Sequence, residues 1–131
     1  MELILASASP RRRELLDQIG VAHLCEPANI DESRLAGEKP EDYVLRMARE
    51  KAAAVASRHS GGSLAVLAAD TSVVIDEDVL GKPGDHFEAL GMLARLSGRS
   101  HRVLTGICLN TQRGEVLSEM VETKVHFLQL T

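Results

Sequence analysis

A chain of 131 residues, 44% apolar and 26% charged, has room for one hydrophobic core and reads as a single domain over residues 1–131. A net charge of −4, with aromatics at 2% and no Trp, excludes a broad nucleic-acid footprint and a base-stacking surface. No stretch approaches the ~18 apolar residues of a membrane span, and the first basic residues follow the first apolar run, so neither a membrane anchor nor a signal peptide is expected.

Leu3-Ile4-Leu5 suits a short buried strand. Ser9 follows as a helix N-cap, with Pro10 at the first helical position and Gly20 as the stop. Leu15, Leu16 and Ile19 give that helix an apolar stripe. Its first turn carries Arg11, Arg12 and Arg13, where the partial positive charge of a helix start favours acids. Three cations there cost stability unless an anion sits among them. Backbone N–H groups, Ser7, Ser9 and the guanidiniums together form what a phosphate needs. The alternative is that the arginines splay into solvent.

Val21 to Ile30 reads as extended and broken by Pro27, and Asp31-Glu32-Ser33 and Gly37-Glu38-Lys39 read as loop. Pro40 opens a long helix reaching about His59, with Glu41 and Asp42 in its first turn and Gly61-Gly62 as its end. Its stripe runs through Val44, Met47, Ala48, Ala52, Val55 and Ala56, and Lys51 lies on or beside it. Ser63 to Ala69 is a buried strand closed by Asp70, and residues 71–75 continue extended. Asp76-Glu77-Asp78 makes a solvated turn, after which Val79-Leu80 return toward Gly81-Lys82-Pro83. Asp85 caps a third helix, with Glu88 in a capping box and Gly98 as its stop. Val103, Thr105, Ile107 and Leu109, then Val121, Thr123, Val125 and Phe127, alternate in period two around Gln112-Arg113-Gly114, an antiparallel hairpin over residues 102–128. The class is mixed α/β. Cys25 and Cys108 are expected as buried free thiols of a cytoplasmic protein.

Asp70 draws attention because a carboxylate closing so apolar a run sits at a strand end, where α/β proteins place ligands; a capping role is the alternative. Taken alone, Lys82 reads as a solvated turn lysine, Glu32 as a loop carboxylate and Lys51 as a snorkelling stripe lysine.

Ser7-Ala8-Ser9-Pro10-Arg11-Arg12 with Glu14-Leu15-Leu16 resembles the N-terminal signature of the Maf family of nucleotide pyrophosphatases, linked by name to septum formation. Ala69-Asp70-Thr71, Gly81-Lys82-Pro83, Glu50-Lys51-Ala52 and Leu96-Ser97-Gly98 followed by His101 match further family motifs. The resemblance implies an inosine-triphosphatase-like mixed sheet with flanking helices and a substrate cleft between two lobes. It implies Asp70, Glu32 and Lys82 as catalytic residues, with Asp70 and Glu32 holding Mg²⁺ or Mn²⁺. Ser7, Ser9, Arg11, Arg12, Lys51 and Thr71 become substrate contacts. Arg11 and Thr71 resemble the branch acting on dTTP and UTP rather than the one preferring 7-methyl-GTP. His101 and its neighbours Arg99 and Arg102 read as structural. The resemblance also implies a possible homodimer and a chain lacking the family's C-terminal third. A non-catalytic nucleotide-binding remnant acting in septum control is the rival from another class.

Overall fold

The computed structural model describes residues 2–7, 9–59, 64–75, 78–80, 91, 100–111 and 116–126. The elements are β1 (Glu2–Leu5), α1 (Pro10–Gln18), β2 (Leu24–Cys25), α2 (Pro40–Ala56), β3 (Leu64–Ile75), β4 (Asp78–Leu80), β5 (Ser100–Thr111) and β6 (Val116–His126). The strands form one mixed sheet in the order β2-β1-β3-β5-β6, with β4 also paired to β3. The β1–β2 and β1–β3 pairs are parallel, and the rest are antiparallel.

Strand β3 is the axis. Its residues 65–74 pair with β5 along one edge. Along the other edge, Leu64–Leu67 pair with β1 and Val73–Ile75 pair with β4. Between them, at residues 68–72, no described strand covers that edge. Asp70 lies at the centre of this opening, inside a strand that continues to Ile75 and not at the strand end expected for it, because β5 pairs without a break from residue 65 to 74. One rim of the opening is Leu5, beyond which the chain runs to Ser7, and the other is Leu80, which pairs with Val73.

Helix α2 supplies the packing partner of the sheet. Pro40, Tyr43, Val44, Met47, Ala48, Ala52 and Val55 are buried, which follows the expected stripe except that Ala56 is only partly covered. One part of the core joins Ala48, Ala52 and Val55 to Ile4, Ala6, Val66, Ala68 and Cys108. The other joins Tyr43, Val44 and Met47 to Val74 and Leu104. Each fully buried Val, Leu, Ile or Met side chain among these contributes on the order of 1.5–3 kcal/mol. The helix ends at Ala56 rather than near His59, with Ser57 as its C-cap. Arg58 closes that end by donating to Glu26 Oε2 at 3.0 Å and to the Pro27 and Ala28 carbonyls.

Gly106 is the point of closest approach. A Cβ there would lie 2.6 Å from the Val44 carbonyl carbon and 3.0 Å from the Leu45 nitrogen, so only glycine lets the α2 backbone sit this near the sheet. The face of β5 turned to α2 is therefore Leu104, Gly106 and Cys108, and not the more apolar set Val103, Thr105, Ile107 and Leu109.

Helix α1 departs from expectation. It starts with Ser9 extended and Pro10 at its first position, and it ends in a Schellman motif. Gly20, at φ 74°, donates to the Asp17 carbonyl, and Val21 donates to the Leu16 carbonyl. The expected apolar stripe is not buried, however: Leu15 is 55% exposed and Ile19 71%. Cys25 is exposed too, on the edge strand β2, while Cys108 is buried as expected. Asp78 belongs to β4 instead of a turn. The remaining turn residues, the Gly61-Gly62 stop, the third helix apart from Gly91 (which is helical), the hairpin's turn and Phe127 lie outside the described residues. No described helix is long and apolar enough to cross a membrane.

Candidate active site

Asp70 enters the site because β3 alternates. Its even-numbered residues face α2, and Asp70 is the one acid among Val66, Ala68, Ser72 and Val74. It pairs in register with Gly106, the strand position closest to the α2 backbone. Lys51 lies seven residues, two turns, beyond Val44 and so shares its side of the helix. Its Nζ donates to Asp70 Oδ1 at 3.0 Å. The same Nζ pairs with Glu32 Oε1 at 3.1 Å. The Lys51 and Asp70 side chains are 15% and 12% exposed, whereas that of Glu32 is 58% exposed and opens the group to solvent.

The loop carrying Glu32 is tied to α2. The Tyr43 hydroxyl donates to the Glu32 carbonyl at 2.5 Å, and Arg46 Nη2 donates to the Ser33 carbonyl at 2.8 Å. Arg46 also grips Glu38 through both carboxylate oxygens, at 2.7 and 2.8 Å. That grip is the main reason the Glu38 carboxyl is held at about 2, from an ordinary 4.5. Burial raises the Tyr43 hydroxyl above its usual value, and the charges of Asp70 and Glu32 add to this. Its hydroxyl therefore remains a donor over the whole neutral range.

Thr71 and Arg12 stand on the other side of β3. Thr71 points away from Asp70, and its Oγ1 accepts from Arg12 Nη2 at 3.1 Å and lies 3.2 Å from Thr105 Oγ1. Ser7 Oγ accepts the Ser9 backbone N–H at 3.0 Å and so shapes the loop into α1. Ser9 is the N-cap by backbone position, but its side chain makes no capping hydrogen bond, and no acid stands in the first turn. Arg11 and Arg13 are exposed there. The structure thus joins Glu32, Lys51 and Asp70 in one group, and Arg12 with Thr71 in another. Lys82 lies outside the described residues.

As for a metal, the described residues contain no cluster of three or more His, Cys, Asp or Glu side chains. The donor set is two carboxylates converging on one ammonium. Mg²⁺ is commonly held by one or two carboxylates with substrate phosphates and water completing the shell, so Glu32 and Asp70 fit such an ion.

Tyr43, Arg46 and Gly106 were not among the residues expected from the sequence. Tyr43 is the only tyrosine in the chain, and a glycine within an alternating strand signals close backbone approach; those were the available signs. Arg102, expected to be structural, donates from Nη1 to Glu41 Oε1 at 2.6 Å and to Glu122 Oε1 at 3.0 Å, joining α2, β5 and β6.

Comparison with known proteins agrees with this architecture. The family profile described as Maf-like protein matches residues 2–131. A dTTP/UTP pyrophosphatase of Anaeromyxobacter sp. (strain Fw109-5) is 55% identical over 98% of this chain and 62% of its own length. The dTTP/UTP pyrophosphatase of Myxococcus xanthus (strain DK1622) is 54% identical over 98% of this chain and 64% of its own. The chain thus spans a little under two-thirds of these curated relatives. Among solved structures, the Staphylococcus aureus Ham1 protein aligns with a TM-score of 0.61 at 14% identity, covering 95% of this chain and 70% of its own. A dITP/XTP pyrophosphatase from Mycobacterium abscessus aligns with a TM-score of 0.56 at 22% identity, covering 95% and 73%. These two establish likeness of fold.

Proposed function

This chain belongs to the Maf-like protein family, and from that premise we propose that it hydrolyses dTTP and UTP to the nucleoside monophosphate and pyrophosphate. The observation that carries the reading is Lys51 held between Glu32 and Asp70, beside the stretch of β3 that no described strand covers. Two carboxylates and a lysine at an open strand edge suit a reaction on a polyphosphate.

In this reading the triphosphate lies across the opening at residues 68–72. Ser7, Ser9, Arg11 and Arg12 at the start of α1 bind its phosphates, joined by Lys82 and by Lys51 once it exchanges a carboxylate for a phosphate oxygen. Asp70 takes a proton from the water whose oxygen bonds to the α-phosphorus. The bond from that phosphorus to the bridging oxygen of the β-phosphate breaks, and pyrophosphate leaves. The cationic side chains offset the charge gathering on the leaving group. A divalent cation, Mg²⁺ or Mn²⁺, held by Glu32 and Asp70 would supply charge neutralisation and a more acidic bound water. Arg11 and Thr71 are the residues assigned to base choice.

The test is pyrophosphate release from dTTP, UTP, 7-methyl-GTP and ATP with Mg²⁺ or Mn²⁺. Turnover of dTTP and UTP ahead of 7-methyl-GTP is expected, with ATP hardly used. Asp70→Asn should lower kcat at least ~10²-fold with little change in folding. Preference for 7-methyl-GTP overturns the assignment of Arg11 and Thr71. Binding of dTTP without any turnover identifies a non-catalytic nucleotide-binding protein instead.

A further inference from the structure

We propose that Tyr43 is a positioning residue, whose hydroxyl sets Glu32 in place for its role at the site. The proposal rests on the functional reading above, and it concerns how an otherwise loose carboxylate becomes a fixed one.

Glu32 belongs to a stretch, residues 26–39, that contains no helix or strand. A long acidic side chain on such a stretch samples many positions, and ordering it costs conformational entropy. Two α2 side chains counter this by holding consecutive carbonyls. Tyr43 takes that of Glu32 at 2.5 Å and Arg46 takes that of Ser33 at 2.8 Å. Gripping both restrains the peptide between them and hence the direction in which the Glu32 side chain leaves the backbone. Eight residues beyond Tyr43, Lys51 receives the Glu32 carboxylate at 3.1 Å. One helix therefore holds both ends of Glu32, the backbone through Tyr43 and the carboxylate through Lys51.

The clamp is anchored at each side. The Tyr43 ring packs with Val44, Met47, Val74 and Leu104 in the core, so its donor moves only if the core moves. The Arg46 guanidinium lies 5.7 Å over that ring and grips Glu38 with two hydrogen bonds. Glu38 closes the far end of the loop by accepting the Leu35 N–H at 3.1 Å, and its carbonyl accepts from Arg34 at 2.7 Å. Asp31 Oδ1 accepts the Ser33 N–H and hydroxyl at 3.0 and 2.6 Å on the near side. A residue needed only to fill this core could be Phe. The hydroxyl has to be hydrogen-bonded to offset its desolvation, and the Glu32 carbonyl is where its proton is donated.

Tyr43→Phe removes the donor and keeps the ring. In the metal-free chain, amide exchange of residues 31–38 should rise about 5- to 10-fold while exchange in β3 and β5 stays the same. With dTTP, the Mn²⁺ concentration for half-maximal rate should rise several-fold, and kcat should fall more than KM changes. In a Glu32→Gln background, Tyr43→Phe should leave the residual kcat unaltered, because a residue acting through Glu32 has nothing left to position. Unchanged exchange at 31–38, or a full additional loss of kcat in the double variant, overturns the proposal. Should Tyr43→Phe not fold, Glu38→Gln loosens the same loop without touching the core and decides by the same exchange measurement. A wild-type chain that does not hydrolyse dTTP overturns the functional reading instead, and the exchange measurement still decides whether Tyr43 holds the loop.

Discussion

Helix α2 turns seven of its 17 residues into the core, whereas none of the nine residues of α1 is buried. Both begin with proline at the first helical position after an extended residue, so their starts are written in the same local code. Beyond the first turn they differ. The apolar positions of α2 meet β3 and β5, and its charged margin is joined to the surroundings by Glu41–Arg102, Arg46–Glu38 and Arg49–Ser118 pairs, with Arg58–Glu26 just past its end. For α1, the described hydrogen bond outward is Arg12 to Thr71. One helix is held by packing. The other is closed by its Schellman motif and carries three arginines, with no ion pair to them among the described residues, where the helix dipole is already positive. Positive charge maintained at such a cost suits a segment whose partner is an anion, which is the part α1 plays in the proposed function.

The contrast between the two helices is greatest where α2 touches the sheet. Gly106→Ala puts a methyl group into the Val44 backbone and should destabilise the protein by about 3 kcal/mol, read as a lower urea midpoint. Leu15→Ala on α1 should stay within ~0.5 kcal/mol in the same titration. Similar losses for the two would mean that α1 is packed after all.

Arg12→Ala sharpens the contrast from the α1 side. The apoprotein should change by less than ~0.5 kcal/mol, since relief of repulsion at the helix start offsets the lost bond to Thr71. KM for dTTP should rise about tenfold, as expected for a lost charge-assisted hydrogen bond. A destabilised apoprotein with unaltered dTTP binding would make Arg12 structural.

The smallest effect is a pH dependence on the α2 side. The Glu38 carboxyl is lowered in the folded state, so its contribution is fully present above its ordinary value of 4.5 and is lost as the pH falls toward about 2. Between those values the thermal midpoint of the wild type should fall more than that of Glu38→Gln. Parallel curves for the two proteins would show that the Arg46–Glu38 grip adds nothing to folding.

Several features were determined by the sequence itself, because each rests on information spanning a few residues. The strand at Leu3–Leu5, the two proline-opened helices, the apolar run leading into Asp70 and the hairpin arise from period, caps and turn residues, whereas the place of Asp70 inside β3 rather than at its end does not. Asp70, Lys51 and Glu32 were legible as candidates through short motifs, and the structure brings those three together. The tertiary structure alone decided that Arg12 and Thr71 stand on the other side of β3, since neighbouring residues of a strand point to opposite faces. It alone decided which face of β5 is covered, because the close approach of α2 over Gly106 outweighs the more apolar alternation beside it. The hold of Tyr43 on Glu32 belongs to the same class, joining residues 11 apart through a loop with no periodic signal. The burial of α2 and the exposure of α1 do as well: an apolar stripe shows which side of a helix could be buried, and only the assembled sheet provides something to bury it against.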